Sequence, residues 1–231
     1  MFRISDIRYH ARAVYLRVRR TLSAVLIDRR RGIDTAREAD LGDLGVAHPE
    51  RVRYEPTSWL ELRRALGAVA IGPDEVFLDY GCGKGRVLLA AARQPFKRVL
   101  GVDISPQLCD VARANLERER LRRRCGAIEV IAADVTEWEV PDDLTVVFMH
   151  NPFRGETFDA AIGQLLSSLD RNPRIIHIIY RIPMESERLL AIDRVRLVRV
   201  VPGLRPGRKW SRKMATHVYR LQPADKALRS K

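Results

Sequence analysis

The chain has 231 residues, 46% hydrophobic and 31% charged, which suits one globular domain with an extension and excludes a disordered polymer. Forty-two Lys and Arg against 29 Asp and Glu leave a net charge of +13, which favours a polyanionic partner: nucleic acid, an acidic protein or an anionic membrane face. Cys82, Cys109 and Cys125 show no CxxC spacing, no apolar run reaches the roughly 18 residues of a membrane span, and Arg12, Arg17, Arg19 and Arg20 break up any secretory leader, so a reduced, cytoplasmic protein with no transmembrane segment is expected.

Residues 1 to 31 hold nine Arg and no Lys. Val14, Val18, Leu22 and Val25 recur at helical spacing, with Arg8, Arg12 and Arg19 on another face. This predicts a basic amphipathic helix over about 9–27, suited to packing on the domain, to homodimerisation or to peripheral membrane contact, the first two being favoured. Residues 32 to 50 are Gly- and Asp-rich without period and read as a linker. The expected organisation is therefore a 1–50 extension and linker, a 51–222 domain and a polar 223–231 tail.

Within the domain, Thr57 or Ser58 can cap a helix through Leu66 and Val69. Strands are predicted over 75–79, 98–103, 128–134, 144–149 and 174–180. Helices are predicted over 86–93, from Pro106 through Leu116, from Phe158 through Leu169, and over 185–192. Near-continuous apolar strands alternating with helices imply a parallel sheet covered on both faces. The runs 195–201 and 215–221 have only a Pro- and Gly-containing connection between them, so they form a terminal antiparallel pair.

The most informative stretch is Asp79-Tyr-Gly81-Cys-Gly83-Lys-Gly85, between a strand and a helix. Glycines there permit positive φ and let a ligand lie against bare backbone. Asp103 ends the next strand, where a carboxylate can accept from ribose hydroxyls. The dinucleotide fingerprint GxGxxG/A fails at its sixth position, which is the bulky Arg86, whereas acidic-x-GxGxG is met throughout. On these residues, and on the order of elements with its closing hairpin, the chain resembles the class I S-adenosylmethionine-dependent methyltransferases over roughly 54–222.

The resemblance implies an α/β, seven-stranded Rossmann-like sheet, mostly parallel with a C-terminal antiparallel hairpin, and S-adenosylmethionine as cofactor. It implies that Asp79 orients the methionine end, that Gly81, Gly83 and Gly85 let the methionine and ribose pass, and that Cys82 lines the pocket as a small residue. It also implies that Asp103 binds the ribose, Ile104 packs on adenine, and Asp134 accepts from the adenine amine beside Val135. For Asp134, a cap on the following turn is an equally good reading. His150-Asn151-Pro152-Phe153 resembles the (Asp/Asn)-Pro-Pro-aromatic motif of amino-group methyltransferases, with one Pro fewer. In that motif a side-chain oxygen and a backbone carbonyl accept the amine's protons and the aromatic ring packs on a planar target. His150 is a candidate proton acceptor, and Tyr54, in Tyr54-Glu-Pro-Thr57, is a candidate cover for the cofactor. Together with the glycine loop, these stretches are similar to an uncharacterised bacterial methyltransferase group, and the glycine loop is similar to that of lysine methyltransferases.

His10, His48, His150, His177 and His217 are scattered without ligand spacing, so no metal is expected. A second basic stretch, 199–213, contains Arg199, Arg205, Arg208, Lys209, Arg212 and Lys213 around Trp210, a composition that can hold single-stranded nucleic acid by charge and stacking or an acidic protein by charge. The acceptor stays open: an amine of a protein or nucleic acid, a small metabolite's oxygen or nitrogen, or no acceptor at all in a non-catalytic binding module.

Overall fold

A computed structural model describes residues 14, 15, 18, 22, 24–40, 42–46, 48–205 and 207–224. Seven strands form one sheet: β1 (Val76–Tyr80), β2 (Arg98–Asp103), β3 (Ala127–Ala132), β4 (Val146–Met149), β5 (Ile176–Arg181), β6 (Val195–Val201) and β7 (Thr216–Leu221). Their order is β3-β2-β1-β4-β5-β7-β6. The first five run parallel, and β7 inserts antiparallel between β5 and the edge strand β6. β1 and β4 are buried along their whole length, as continuous apolar runs in a two-sided sheet should be.

Helices cover both faces: α1 (Trp59–Leu66), α2 (Arg86–Ala91), α3 (Pro106–Arg118), α4 (Gly155–Arg171), α5 (Ser186–Leu190) and α6 (Arg208–Lys213). One core cluster packs α4 on the sheet through Phe158, Ile162 and Leu165. The other packs α1 and α2 through Leu62, Leu66 and Leu88. The predicted caps form, with Ser58 Oγ accepting from Glu61 N at 3.3 Å and Pro106 in the first turn of α3. Strand order reverses between β1 and β4, and in such sheets ligands bind at the carboxyl ends flanking that switch point.

Four expectations are corrected. The 202–214 connection is not loop alone, because α6 forms within it. Residues 32–50 are not a free linker: Ile33 and Ala36 are buried, and Ile33 joins the α1–α2 core cluster. Of the N-terminal stripe, Val14, Val18 and Leu22 have helical backbone and are 61%, 51% and 52% exposed, so these three do not pack on the domain; Arg8, Arg12 and Arg19, the Val25 side chain and the tail after 224 lie outside the described residues. Trp210 is not a bare stacking platform, because Tyr15 meets its ring edge-on at 5.5 Å and Arg205 lies 5.8 Å from its centroid. Arg205 itself is buried, on Glu61 at 2.8 Å beside Arg181. No helix among the described residues is long and apolar enough to cross a membrane.

Candidate active site

The glycine loop is shaped by its own backbone. Gly81 N and Cys82 N both donate to Val102 O, at 2.9 and 3.0 Å, which turns the chain toward β2 as it leaves β1. Gly83 N donates to Asp103 Oδ2 at 2.8 Å. Gly81 and Gly83 have φ of +71° and +50°. Two contacts also forbid a side chain at these positions: a Cβ on Gly83 would lie 2.2 Å from the Tyr54 ring, and one on Gly81 would lie 2.7 Å from Pro152 Cβ.

What rests on the loop is a strap, residues 28–57, that the sequence does not announce. Arg86, whose bulk rules out the dinucleotide fingerprint, anchors it. Its buried guanidinium reaches Asp28 at 3.2 Å, Thr35 Oγ1 at 2.7 Å and Thr57 O at 3.2 Å. Lys84 pairs with Asp34 at 3.1 Å, and Asn115 holds Asp34 N, Asp34 O and Lys84 O. Tyr54 donates to Thr35 O at 2.9 Å. The strap then runs antiparallel to the 151–154 turn, with Val52 N on Pro152 O and Arg154 N on Glu50 O. The Glu50 carboxylate caps α4 by accepting from Glu156 N, Thr157 N and Thr157 Oγ1; the Thr157 bonds lead in lowering its pKa to about 2.

Between strap and strand ends lies a partly open crevice. Of the sequence-predicted residues, Tyr54, Gly81, Asp103, Ile104, Asp134 and Val135 line it, as do His150, Pro152 and Phe153. Asp79, Cys82, Gly83, Gly85 and Asn151 lie outside its lining.

The three carboxylates differ sharply. Asp79 is 2% exposed and its Oδ2 has no hydrogen-bond partner among the described residues. Burial, then the charge of Asp103, pushes its carboxyl well above the usual range. Asp103 accepts from Gly83 N and from Ser105 N at 3.0 Å; burial still pushes it up. Asp134 is already satisfied by Thr136 N, Thr136 Oγ1 and Arg51 at 2.8 Å, and these outweigh its burial and hold it below its ordinary value. Its capping of the following turn is therefore present, and the Arg51 partner went unseen in the sequence because 83 residues separate the two.

At the fourth strand end, Asn151 adopts φ +48°, a left-handed conformation that Asn tolerates, and Tyr180 Oη donates to its Oδ1 at 3.4 Å. The Pro152 carbonyl already accepts from Val52 N at 2.9 Å. Phe153 is 4% exposed, edge-on to Tyr80 at 5.7 Å and near Phe158, so its ring belongs to the core. His150 Nδ1 sits 2.7 Å from Thr57 Oγ1; burial, with the Arg181 charge, lowers its pKa to about 4, so the ring is neutral at physiological pH. Cys82 is buried, and the Cys109 thiol together with burial raises it well above its ordinary value, which disfavours a thiolate. No group of three or more His, Cys, Asp or Glu suited to a metal occurs among the described residues.

Residues 77–172 match the family described as Methyltransferase domain. A protein-lysine N-methyltransferase of Saccharolobus islandicus (strain REY15A) is 29% identical over 85 residues, 36% of this chain and 53% of that protein. A ribosomal protein L11 methyltransferase of Dechloromonas aromatica (strain RCB) is 41% identical over 78 residues, 33% of this chain and 24% of that protein. The chain thus spans about half of one of these curated relatives and a quarter of the other. In fold, a dimethyladenosine transferase from Plasmodium falciparum superposes with a TM-score of 0.53 at 17% identity, covering 76% of this chain and 65% of that one.

Proposed function

We propose that this chain, which carries a class I methyltransferase domain, is an S-adenosylmethionine-dependent methyltransferase acting on an amine nitrogen of a protein or nucleic acid. The observation that carries the reading is Asp79: a buried carboxyl with an oxygen lacking any donor among the described residues, beneath a glycine loop at the sheet's switch point. An unpartnered buried polar oxygen costs roughly 1–3 kcal/mol, and an ammonium group arriving there removes that cost. The cofactor's amino-acid end carries such a group.

Asp103 keeps lone pairs beyond those used by Gly83 and Ser105, and these serve ribose hydroxyls. Ile104 and Val135 offer apolar walls to the adenine, and Asp134 reaches its amine if it shares Arg51. Tyr54 rests on Gly83, so loading displaces the ring before it closes again. The sulfonium supplies an electrophilic methyl carbon to an in-line nucleophile, and the protein's task is largely positioning. Asn151 Oδ1, oriented by Tyr180, accepts a hydrogen bond from the amine and turns its lone pair toward the methyl; neutral His150, held by Thr57, takes up the one proton released, directly or through one water. The named targets of the two relatives, a protein lysine and a ribosomal protein, support a macromolecular acceptor.

The test has two arms. Calorimetry with S-adenosylhomocysteine measures binding. Radiolabelled methyl transfer to an extract lacking this protein, with nuclease- and protease-treated controls, identifies the acceptor. Absence of both binding and transfer would overturn the reading.

A further inference from the structure

The crevice does not open onto neutral surface. Its rim, Arg51-Val52-Arg53, is shared with a second concavity on the outside of the strap, an open bowl. His48 and Arg154 complete its basic lining, and Asp40 is its single acid. One oxygen of Asp40 already accepts from Gly42 N at 2.8 Å. Arg51 is committed to Asp134. Arg53 and Arg154 are exposed and make no ion pair or side-chain hydrogen bond among the described residues. Two guanidinium groups thus stand without counter-charges among the described residues, beside the entrance an acceptor would use.

We propose that this bowl seats backbone phosphates of a nucleic acid, and that the macromolecular acceptor is therefore a nucleic acid presented to the crevice across the strap. The inference rests on the methyltransferase reading and narrows its substrate class. Guanidinium groups match phosphate oxygens in a planar fork and stay charged at any physiological pH. An acidic protein would offer carboxylates, but protein interfaces draw their affinity from buried aromatic or apolar anchors. Here the only apolar lining is Val52 and Pro49, and no aromatic ring other than His48 takes part. Interfaces with nucleic acid are polar and positive, and the bowl presents two exposed guanidinium groups with little apolar lining.

The experiment measures fluorescence anisotropy of a labelled single-stranded RNA of about 20 nucleotides, longer than one domain's site, with the full chain, from about 50 to 200 mM salt. Wild type is expected to bind with a steep salt dependence. Arg53→Gln/Arg154→Gln should weaken binding about tenfold or more and flatten the log–log salt slope by roughly 1.4, the loss of two single-strand phosphate contacts. Arg154→Gln alone, outside the crevice lining, should weaken RNA binding while keeping the wild-type S-adenosylhomocysteine dissociation constant, which reports that the site is folded. Unchanged RNA affinity in both variants overturns the bowl, even if the cofactor binds. RNA binding that depends on these arginines without any cofactor binding leaves the bowl standing as a nucleic-acid site and removes the methyltransferase reading. A poly-glutamate peptide that binds as tightly as RNA, with the same dependence on Arg53 and Arg154, overturns the nucleic-acid assignment in favour of an acidic protein.

Discussion

The glycine loop and the strap that covers it meet at Tyr54 on Gly83, yet they are held by opposite means. The loop is fixed by backbone groups and by Asp103, one strand away, so its shape follows from a short run of sequence. The strap has almost no secondary structure and is fixed by side chains reaching across the fold, Asp28 to Arg86 over 58 residues and Asp34 to Lys84 over 50. The loop therefore forms wherever β1 and β2 pair, whereas the strap depends on long-range contacts, charged ones together with the buried Ile33 and Ala36. A cover built this way can be released without unfolding the site beneath it.

The largest expected effect tests the anchor. Asp28→Ala leaves the Arg86 guanidinium buried without its carboxylate and should cost about 3–5 kcal/mol of stability, measured by urea unfolding; a loss within experimental error would mean that the strap is held elsewhere. Asp79→Asn separates the loop's two roles. It removes a buried ionisable group and should stabilise the free protein by about 1–3 kcal/mol, while weakening S-adenosylhomocysteine about 100-fold, the loss of one charged hydrogen bond. Because burial raises the Asp79 carboxyl and an ammonium favours its ionised form, binding should release a proton and weaken as pH falls. Calorimetry in buffers of different ionisation enthalpy detects that release, which Asp79→Asn should abolish. Asp103→Ala should weaken the same ligand by more than about tenfold, roughly 1.5–3 kcal/mol.

A smaller effect concerns pH. His150 is lowered to about 4 in the fold against an ordinary 6.5, so the unfolded chain binds its proton first on acidification. The stability it contributes is present above pH 6.5 and is lost as pH falls toward 4. Glu50, lowered to about 2 from 4.5, adds its own loss only below about 4.5. Thermal midpoints between pH 6.5 and 4.5 should therefore fall less in His150→Gln than in wild type. Burial lowers His177 and His217 as well, so part of the slope remains. The smallest effect is at the third strand end. Arg51→Ala breaks a partly exposed pair worth about 0–1 kcal/mol, and cofactor affinity should change by no more than about threefold.

The sheet, the glycine loop and the acids at the strand ends were legible because their signals are local: apolar runs for two-sided burial, positive-φ glycines after a strand, and carboxylates one strand apart. Small boundary shifts have local causes too; β3 stops at Ala132, and Asp134 beyond it turns the chain by accepting from Thr136. Arg86 shows where reading the sequence fails. Its bulk is visible and excludes one fingerprint, but the buried Asp28 that explains it lies 58 residues away in a segment without periodicity. The setting of Phe153 was hidden in the same way, since only packing shows its ring edge-on to Tyr80 at the crevice wall.

By itself, then, the sequence determined the order of elements, the turn that bares the β1 backbone, and the surplus of positive charge. Among the described residues, the tertiary structure decided which acid is left without a donor, which is already paired, and where two guanidinium groups without ion pairs come to flank the entrance. Hydrogen-bond satisfaction and charge pairing are properties of neighbours in space, and in this fold the deciding neighbours are 50 or more residues apart along the chain.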